Sequence, residues 1–166
     1  MTGKEQRLQA IFVESILENR IAMFRLAYSI VLNKEDAEDV VSETILKAYS
    51  HLAELRNIKK MKSWIFQILV NESRAYKKRR NRVQLVDNPV CFERKENDRQ
   101  ASYDLLDFVY QLEDIYRDVT ILYYFEEFSV KEITKILNVS GGTVKSRLFR
   151  AREKLKKFIT AYYQAE

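Results

Sequence analysis

Glycine and proline are scarce in this chain, and their scarcity restricts the fold more than any other feature. The 166 residues include three glycines and one proline, where average composition would supply about twenty of the two together. Sheets need tight turns, and turns draw on these residues for their special backbone angles. The composition therefore argues against a sandwich, a barrel or a Rossmann sheet and predicts an all-α fold. Hydrophobic residues make up 46% of the chain, which is enough for a core and too much for a disordered tail.

The single proline, Pro89, lies near the middle of the chain and marks a division. Around it, residues 82–101 lack a helical period, carry a turn signal at residues 87–89 and become polar toward their end. Helical periodicity is clear on both sides of this stretch. We therefore predict two small helical domains, residues 1–81 and 102–166, joined by a flexible linker at residues 82–101.

Apolar residues recur every three or four positions and predict three long helices before the linker and four shorter ones after it. The long helices run from about Glu5 to Leu32, from the cap residue Asn33 onward, and from about Lys60 to Asn81. The shorter helices are predicted at about Tyr103–Glu113, Tyr116–Glu126, Val130–Leu137 and Gly141–Tyr162. The residues predicted to face inward in the long helices are Leu8, Ile11, Phe12, Ile16, Phe24, Ala27, Tyr28, Val31, Ala37, Val40, Val41, Thr44, Ala48, Tyr49, Leu52, Met61, Trp64, Ile65, Ile68 and Leu69.

The charged residues are sorted along the chain. The net charge is +5 and the pI is near 9.2, which points to a polyanionic partner. Basic residues are concentrated in residues 74–82, where there is no acid, and in residues 145–157, where the only acid is Glu153. Residues 35–54 are acidic, with six carboxylates against Lys47. This distribution of two basic sites and one acidic face says more about possible partners than the net charge does.

Cysteine and histidine each occur once, as Cys91 and His51. One cysteine excludes an intramolecular disulfide, and one histidine removes nearly every His/Cys metal site. No constellation of carboxylates suited to a metal-dependent nuclease is visible, so we expect no enzyme activity, metal or cofactor. The first residues lack the apolar run of a signal peptide, and no apolar stretch reaches the ~18 residues of a membrane span. We therefore expect a cytoplasmic protein that does not insert into a membrane.

A helix-turn-helix pattern occupies residues 129–150. Ser129 and Glu132 form a capping box for a short helix, and Ser140 caps a second helix that begins with Gly141 and Gly142. The second helix has an apolar back and a polar front that is expected to hold Lys145, Ser146, Phe149, Arg150 and Arg152. Such a helix suits the DNA major groove. The alternative is a solvated basic helix in an ordinary bundle.

The third long helix changes from apolar to basic along its length. Gln67, Asn71 and Arg74 fall three and four residues apart on one polar stripe, where amides can reach base edges. The cluster beyond them is predicted to hold phosphates and comprises Lys77, Lys78, Arg79 and Arg80. The alternative is an exposed amide beside a solvated helix end. Trp64 lies on the apolar stripe, which favours core packing over base stacking.

The acidic second helix has two interpretations. It is either a solvent-facing surface or a docking site for a basic protein surface, with Val40 and Ile45 as apolar anchors. DNA would repel it, so a DNA-binding chain gains nothing from this face.

Taken together, several stretches resemble the extracytoplasmic-function sigma factors of bacteria, over about Phe12 to Phe158. They are Arg25-Leu-Ala-Tyr-Ser-Ile-Val, Glu35-Asp-Ala-Glu-Asp-Val-Val, Lys47-Ala-Tyr, Ser63-Trp-Ile with Asn71, and Gly142-Thr-Val-Lys-Ser-Arg-Leu-Phe-Arg-Ala-Arg. The last stretch alone would also suit the output domain of a two-component regulator. The N-terminal half decides between the two, because it shows no parallel-sheet pattern of a receiver domain.

The resemblance implies a stress-responsive transcription initiation factor whose partners are core RNA polymerase, promoter DNA in duplex and melted form, and an anti-sigma factor. The implied polymerase contacts are Asp36, Asp39, Val40, Glu43 and Leu46. The implied contacts to the minus-ten element, which is opened with one base flipped into a pocket, are Lys47, Leu55, Gln67, Asn71 and Arg74. The implied contacts to the minus-thirty-five element are Thr143, Val144, Lys145, Ser146, Arg147, Phe149 and Arg150.

The chain departs from the family pattern at four positions. Ser42 replaces the usual Gln, Ala75 an Asp, Glu113 a Pro and Thr134 an Ala. These differences leave the charge pattern intact and indicate a divergent member. The alternative function is an autonomous helix-turn-helix regulator that binds operator DNA, as a dimer, without polymerase.

Overall fold

The computed structural model describes residues 2–84 and 104–165, and every regular element in them is helical. The α-helices are α1 (Gly3–Val31), α2 (Lys34–Ser50), α3 (Met61–Gln84), α4 (Leu105–Tyr110), α5 (Asp114–Thr120), α6 (Val130–Leu137) and α7 (Gly141–Gln164). Two 3₁₀ turns, Leu52–Glu54 and Ile58–Lys60, connect α2 to α3, and one π turn, Ile121–Phe125, extends α5. The prediction of an all-α fold is confirmed.

Helices α1, α2 and α3 form the N-terminal unit, in which each helix packs against the other two. The break between α1 and α2 follows from two residues. Leu32 adopts a left-handed φ of 54° that ends α1, and the Asn33 side chain accepts a hydrogen bond from the Asp36 backbone N–H at 3.0 Å. All but one of the predicted inward residues are buried or partly buried, and Met23, Leu26, Ile30, Phe66 and Val70, which the pattern missed, are buried as well. Tyr49 is the exception, because half of it is exposed and its hydroxyl accepts from Gln9 Nε2 at 3.1 Å.

Helices α4 to α7 form the C-terminal unit, and its helix-turn-helix is as predicted. The Ser129–Glu132 capping box starts α6, and Ser140 Oγ accepts from the Thr143 backbone N–H at 3.1 Å to start α7. Asn138 makes the turn with a left-handed φ of 54°, a conformation that asparagine tolerates. The two helices close over a core of Ile133, Ile136, Leu137, Val144, Leu148 and Ala151.

Three predicted boundaries need correction. Helix α3 continues through residues 82–84, so the linker does not start at residue 82; the rest of it, with Pro89 and Cys91, lies outside the described residues. Helix α4 ends early because the buried Arg117 guanidinium donates to the backbone oxygens of Tyr110 and Leu112 at 3.1 and 3.0 Å. Helix α5 therefore starts at Asp114 rather than at Tyr116.

The two units pack directly on each other. Helix α6 lies against α3, and α5 with its π turn lies against α1. The core residues of both units form one continuous hydrophobic cluster. None of the helices in residues 2–84 and 104–165 is both long and apolar enough to cross a membrane.

Candidate nucleic-acid interface

Helix α7 presents a polar front and an apolar back, as its sequence predicts. Lys145, Ser146, Phe149 and Arg150 are exposed, and Phe149 keeps 59% of its surface in solvent. Thr143 and Arg147 are half-buried at the edges of this front. The back packs into the core of the C-terminal unit, which fixes the helix and turns its front outward. This arrangement can place donors and cations against a DNA groove.

One predicted contact on this helix is wrong. Val144 has 0% of its surface exposed and packs in the core of the C-terminal unit, so its side chain is not part of the exposed front. Glycine at positions 141 and 142 is not required by packing within the chain, because a Cβ at either position would meet its nearest atom at 3.9 Å.

Three of the residues predicted to contact the minus-ten element, Leu55, Gln67 and Asn71, lie beside the start of α3 or on its first half. Gln67 and Asn71 are exposed on one face of α3. Leu55 and Gln67 share a surface cavity of about 280 Å³ with Trp64 and with Lys135 of α6. The cavity is built by the turn between α2 and α3, which brings residues 54–57 beside the start of α3. Trp64 is therefore half-buried, with part of its surface on the core and part lining this cavity.

Four predicted DNA-contacting cations are engaged within the chain, namely Lys47, Arg74, Lys77 and Arg80. Lys47 is paired with Glu72, and Arg74 lies 3.5 Å from Asp118 of α5. Lys77 Nζ donates to Asp114 Oδ2 at 2.5 Å. The pattern of α3 alone could not reveal these last two pairs, because their acids belong to the C-terminal unit.

The rest of the basic cluster on α3 is divided. Lys78 and Arg79 are exposed, whereas Arg80 is partly buried and paired with Asp36 of α2. Asp36 also accepts a hydrogen bond from the Tyr76 hydroxyl at 2.8 Å. Two of the four predicted phosphate ligands are therefore unobstructed.

The acidic face of α2 is exposed around Asp39 and Glu43. The predicted contact at Val40 is wrong, because only 1% of its surface is exposed and it packs under α2 in the core. Leu46 is 66% exposed and lies two turns from Asp39 on the same helix. Leu46 is therefore an apolar side chain of α2 that is open to solvent beside the acidic residues, whereas Ile45 is partly buried.

Burial raises the pKa of two carboxyl groups in the C-terminal unit. The pKa of Asp118 rises to about 6 because desolvation outweighs the attraction of Arg74 and Arg117. Burial also raises the pKa of Glu126 against the opposing effect of Arg25, which donates to its carboxylate at 2.8 Å. Both carboxyl groups face the N-terminal unit. At this contact, the neighbouring arginines do not fully offset the cost of burying the two negative charges.

The raised pKa of Asp118 predicts a pH-dependent stability that Asp118→Asn removes. The ordinary value is 3.8 and the folded value is about 6, so folding favours the protonated acid. The stabilisation by this proton is present at low pH and is lost as the pH rises through 6. When the pH is raised from 4.5 to 7.5, we expect the free energy of unfolding of Asp118→Asn to increase by about 2 kcal/mol relative to that of the original chain. Urea unfolding at both pH values measures this difference.

Asp39→Asn is the matched control, because Asp39 is exposed on α2. The assigned pKa shift would be contradicted if the free energies of unfolding of Asp118→Asn and of the original chain differed by the same amount at both pH values.

Comparisons with known proteins agree with this arrangement along the chain. Residues 16–83 match the family Sigma-70 region 2, and residues 104–155 match the family Sigma-70, region 4. The RNA polymerase sigma factor SigV of Bacillus subtilis is 32% identical over 150 residues, which cover 89% of this chain and 90% of SigV. The ECF RNA polymerase sigma factor SigM of the same organism is 31% identical over 141 residues, covering 81% of this chain and 86% of SigM.

A solved structure also matches both units. The sigma factor RpoE of Bartonella quintana, in complex with the anti-sigma factor NepR, superposes with a TM-score of 0.75 at 25% identity, covering 90% of this chain and 96% of that chain. Because the family matches extend over both region 2 and region 4 and the relatives match most of its length, the chain belongs to the extracytoplasmic-function (ECF) family of RNA polymerase sigma factors.

Proposed function

We propose that this sigma factor binds core RNA polymerase through the exposed face of α2 and reads its promoter with α7 and with the cavity beside α3. The observation that carries the proposal is the division of α7 into a buried apolar back and an exposed front of Lys145, Ser146, Phe149 and Arg150. Cations on this front supply affinity for phosphates, and side chains that reach base edges supply specificity.

The proposed polymerase-binding surface comprises Asp39, Glu43 and Leu46. The two carboxylates repel DNA and suit a basic protein surface. The exposed leucine adds an apolar group that a partner can bury. Asp36 contributes indirectly, because its bonds to Tyr76 and Arg80 tie α2 to α3.

The proposed site for the melted minus-ten element is the cavity that holds Leu55 and Gln67. Its wall includes the amide of Gln67, the apolar side chain of Leu55 and the indole of Trp64. An unstacked base can be held by such a combination through stacking and edge hydrogen bonds. Asn71 lies one turn beyond Gln67 on the exposed side of α3 and extends this surface.

The partner that controls this sigma factor is proposed to be an anti-sigma factor. The support is the likeness over both units to RpoE, whose structure contains the anti-sigma factor NepR. The chain acts by binding rather than by catalysis, and we place it in the cytoplasm with the polymerase. Its induction by stress is part of the same proposal.

The test is co-elution with core RNA polymerase that carries no sigma factor. The original chain is expected to bind stoichiometrically at moderate salt. Asp39→Arg reverses a charge on the proposed surface, so we expect at least a tenfold weaker affinity, equivalent to about 1.4 kcal/mol.

Glu153→Arg makes the same charge change on an exposed position of α7 and is expected to bind polymerase normally. Tight binding of the free protein to duplex operators, with no binding to core polymerase, would instead establish an autonomous regulator and refute the proposal.

A further inference from the structure

A second surface cavity, of about 450 Å³, lies along the second half of α3, away from the cavity that holds Leu55 and Gln67. Its walls come from three helices: α3, α5 and, at Ile30, the end of α1. The volume is within the range of about 300–1,000 Å³ that is typical of small-molecule sites. No residue lines both cavities, so the second one is a separate site.

Cations dominate the wall that α3 supplies to this second cavity. They are Arg74, Lys77, Lys78 and Arg82. Their spacings of three, four and eight residues place them on one side of the helix. Across the cavity, α5 supplies only two carboxylates, those of Asp114 and Asp118. Four positive charges therefore face two negative charges, and the lining keeps an excess of two positive charges, which attracts an anion.

The excess charge resides on two side chains that are not engaged. Two of the four cations are paired with the carboxylates of α5. Within residues 2–84 and 104–165, the side chains of Lys78 and Arg82 make no hydrogen bond or ion pair, and both residues are exposed. The same holds for the amide of Asn81, which lies between them in sequence and lines the same cavity. The N–H groups of all three side chains are therefore available to a ligand.

Lys78 and Arg82 are one helical turn apart and can hold one phosphate between them. An arginine guanidinium binds phosphate through two parallel N–H bonds, and a lysine ammonium adds a point charge. A phosphate monoester carries a charge of about −1.5 to −2 at pH 7, which matches the excess of two positive charges in the lining. The cavity therefore favours a terminal phosphate over a single carboxylate.

The rest of the cavity is partly apolar and suits more than a bare anion. Ile30 is 4% exposed at its inner wall, and Ile115 of α5 is 46% exposed. Inorganic phosphate would leave Ile115 in water, whereas a flat ring can cover it. The amide of Asn81 offers both donors and an acceptor to the edge of such a ring. A phosphate joined to a flat ring with polar edges is the chemistry of a nucleotide.

We propose that this cavity binds a free mononucleotide, whose phosphate lies between Lys78 and Arg82 and whose base packs against Ile115 with its edge toward Asn81. A mononucleotide is favoured over a nucleic-acid strand, because the two unengaged cations suffice for one phosphate only. The bound nucleotide contacts α3 and α5 together, so it stabilises the folded chain by mass action.

Isothermal titration calorimetry of the full-length chain tests the site. AMP, GMP, CMP, UMP and inorganic phosphate are titrated separately at one fixed salt concentration. At least one nucleotide is expected to bind with one-to-one stoichiometry and at least tenfold more tightly than inorganic phosphate. Arg82→Glu replaces a phosphate ligand with a carboxylate that repels phosphate, so we expect at least tenfold weaker nucleotide binding. Arg79→Glu is the matched control, because Arg79 is exposed on α3 and lies outside the cavity.

A second variant, Ile115→Ser, tests the contact with the base without changing the charge of the cavity. It is expected to weaken nucleotide binding toward the affinity for inorganic phosphate and to leave phosphate binding itself unchanged. Ile58→Ser is the matched control, because Ile58 is exposed to a similar extent, 44% against 46%, and does not line the cavity.

Nucleotide binding that is lost in Arg82→Glu, reduced in Ile115→Ser and kept in both controls would support the proposal. It would be overturned if none of the four nucleotides bound saturably, if inorganic phosphate bound as tightly as they do, or if Arg79→Glu lost as much affinity as Arg82→Glu. A single-stranded tetranucleotide of mixed sequence that bound at Arg82 more tightly than every mononucleotide would assign the cavity to nucleic acid and would also overturn it. Polymerase binding through α2 is measured separately and does not depend on any of these outcomes.

Discussion

Reversing two charges on the front of α7, by Lys145→Glu together with Arg150→Glu, is expected to weaken promoter binding by the polymerase holoenzyme about 100-fold. Both side chains are exposed on the face opposite the buried Val144 and Leu148. The substitutions leave that apolar back intact, so α7 should fold normally. Each substitution removes a cation from the DNA surface and adds a carboxylate that phosphates repel.

The measurement uses promoter fragments that the original holoenzyme selects from bacterial genomic DNA. Their affinities for the original and variant holoenzymes are then compared at one fixed salt concentration, since the electrostatic contribution depends on salt. Lys156→Glu with Lys157→Glu is the control, because these residues are exposed on later turns of the same helix. An equal loss in the control variant would mean that total charge, and not the front of α7, determines binding.

Local sequence patterns predict the helices of this protein well. The cap at Asn33, the capping box at Ser129 and Glu132, and the start of α7 at Gly141 are as expected. Each of these features depends on residues within four positions of one another, where spacing alone defines the interaction. Scarcity of glycine and proline predicts the all-α class for a similar reason, since it limits turns everywhere in the chain.

The errors arise where one residue satisfies two patterns. Val40 lies within an acidic segment and Val144 within a recognition helix, and the family resemblance implies that both belong to the contacts of those surfaces. Their side chains instead continue the apolar periodicity of their helices and are buried. Apolar periodicity is the stronger signal for these two valines, because moving a buried valine side chain into solvent costs free energy that its exposed position does not return.

Contacts between the two units could not be predicted from local patterns. Arg25 and Glu126 are 101 positions apart, and no periodicity connects residues at that separation. The same is true of Arg74 and Asp118, whose pairing engages a cation that the sequence pattern predicts to be free. The candidate site is thus predictable as a set of residues, while its accessibility depends on tertiary packing.

The largest effect on stability is expected from Phe66→Ala. Phe66 is on α3 and has 0% of its surface exposed. Its ring packs in the N-terminal unit and meets Phe128 of the C-terminal unit. Removing a buried phenyl group costs its transfer free energy and leaves a cavity, so we expect a loss of about 3–5 kcal/mol in the free energy of unfolding.

Phe149→Ala is the control for this substitution, because it removes the same group from an exposed position on α7 and is expected to change stability by less than about 0.5 kcal/mol. Urea unfolding of both variants, followed by circular dichroism, measures the difference. Phe66 is buried on one side by its own unit and on the other by Phe128, so the size of the loss also reports how completely the units close. A loss below about 1 kcal/mol, far short of a buried phenylalanine, would show that Phe66 is not enclosed in solution and would count against the packing of α6 on α3.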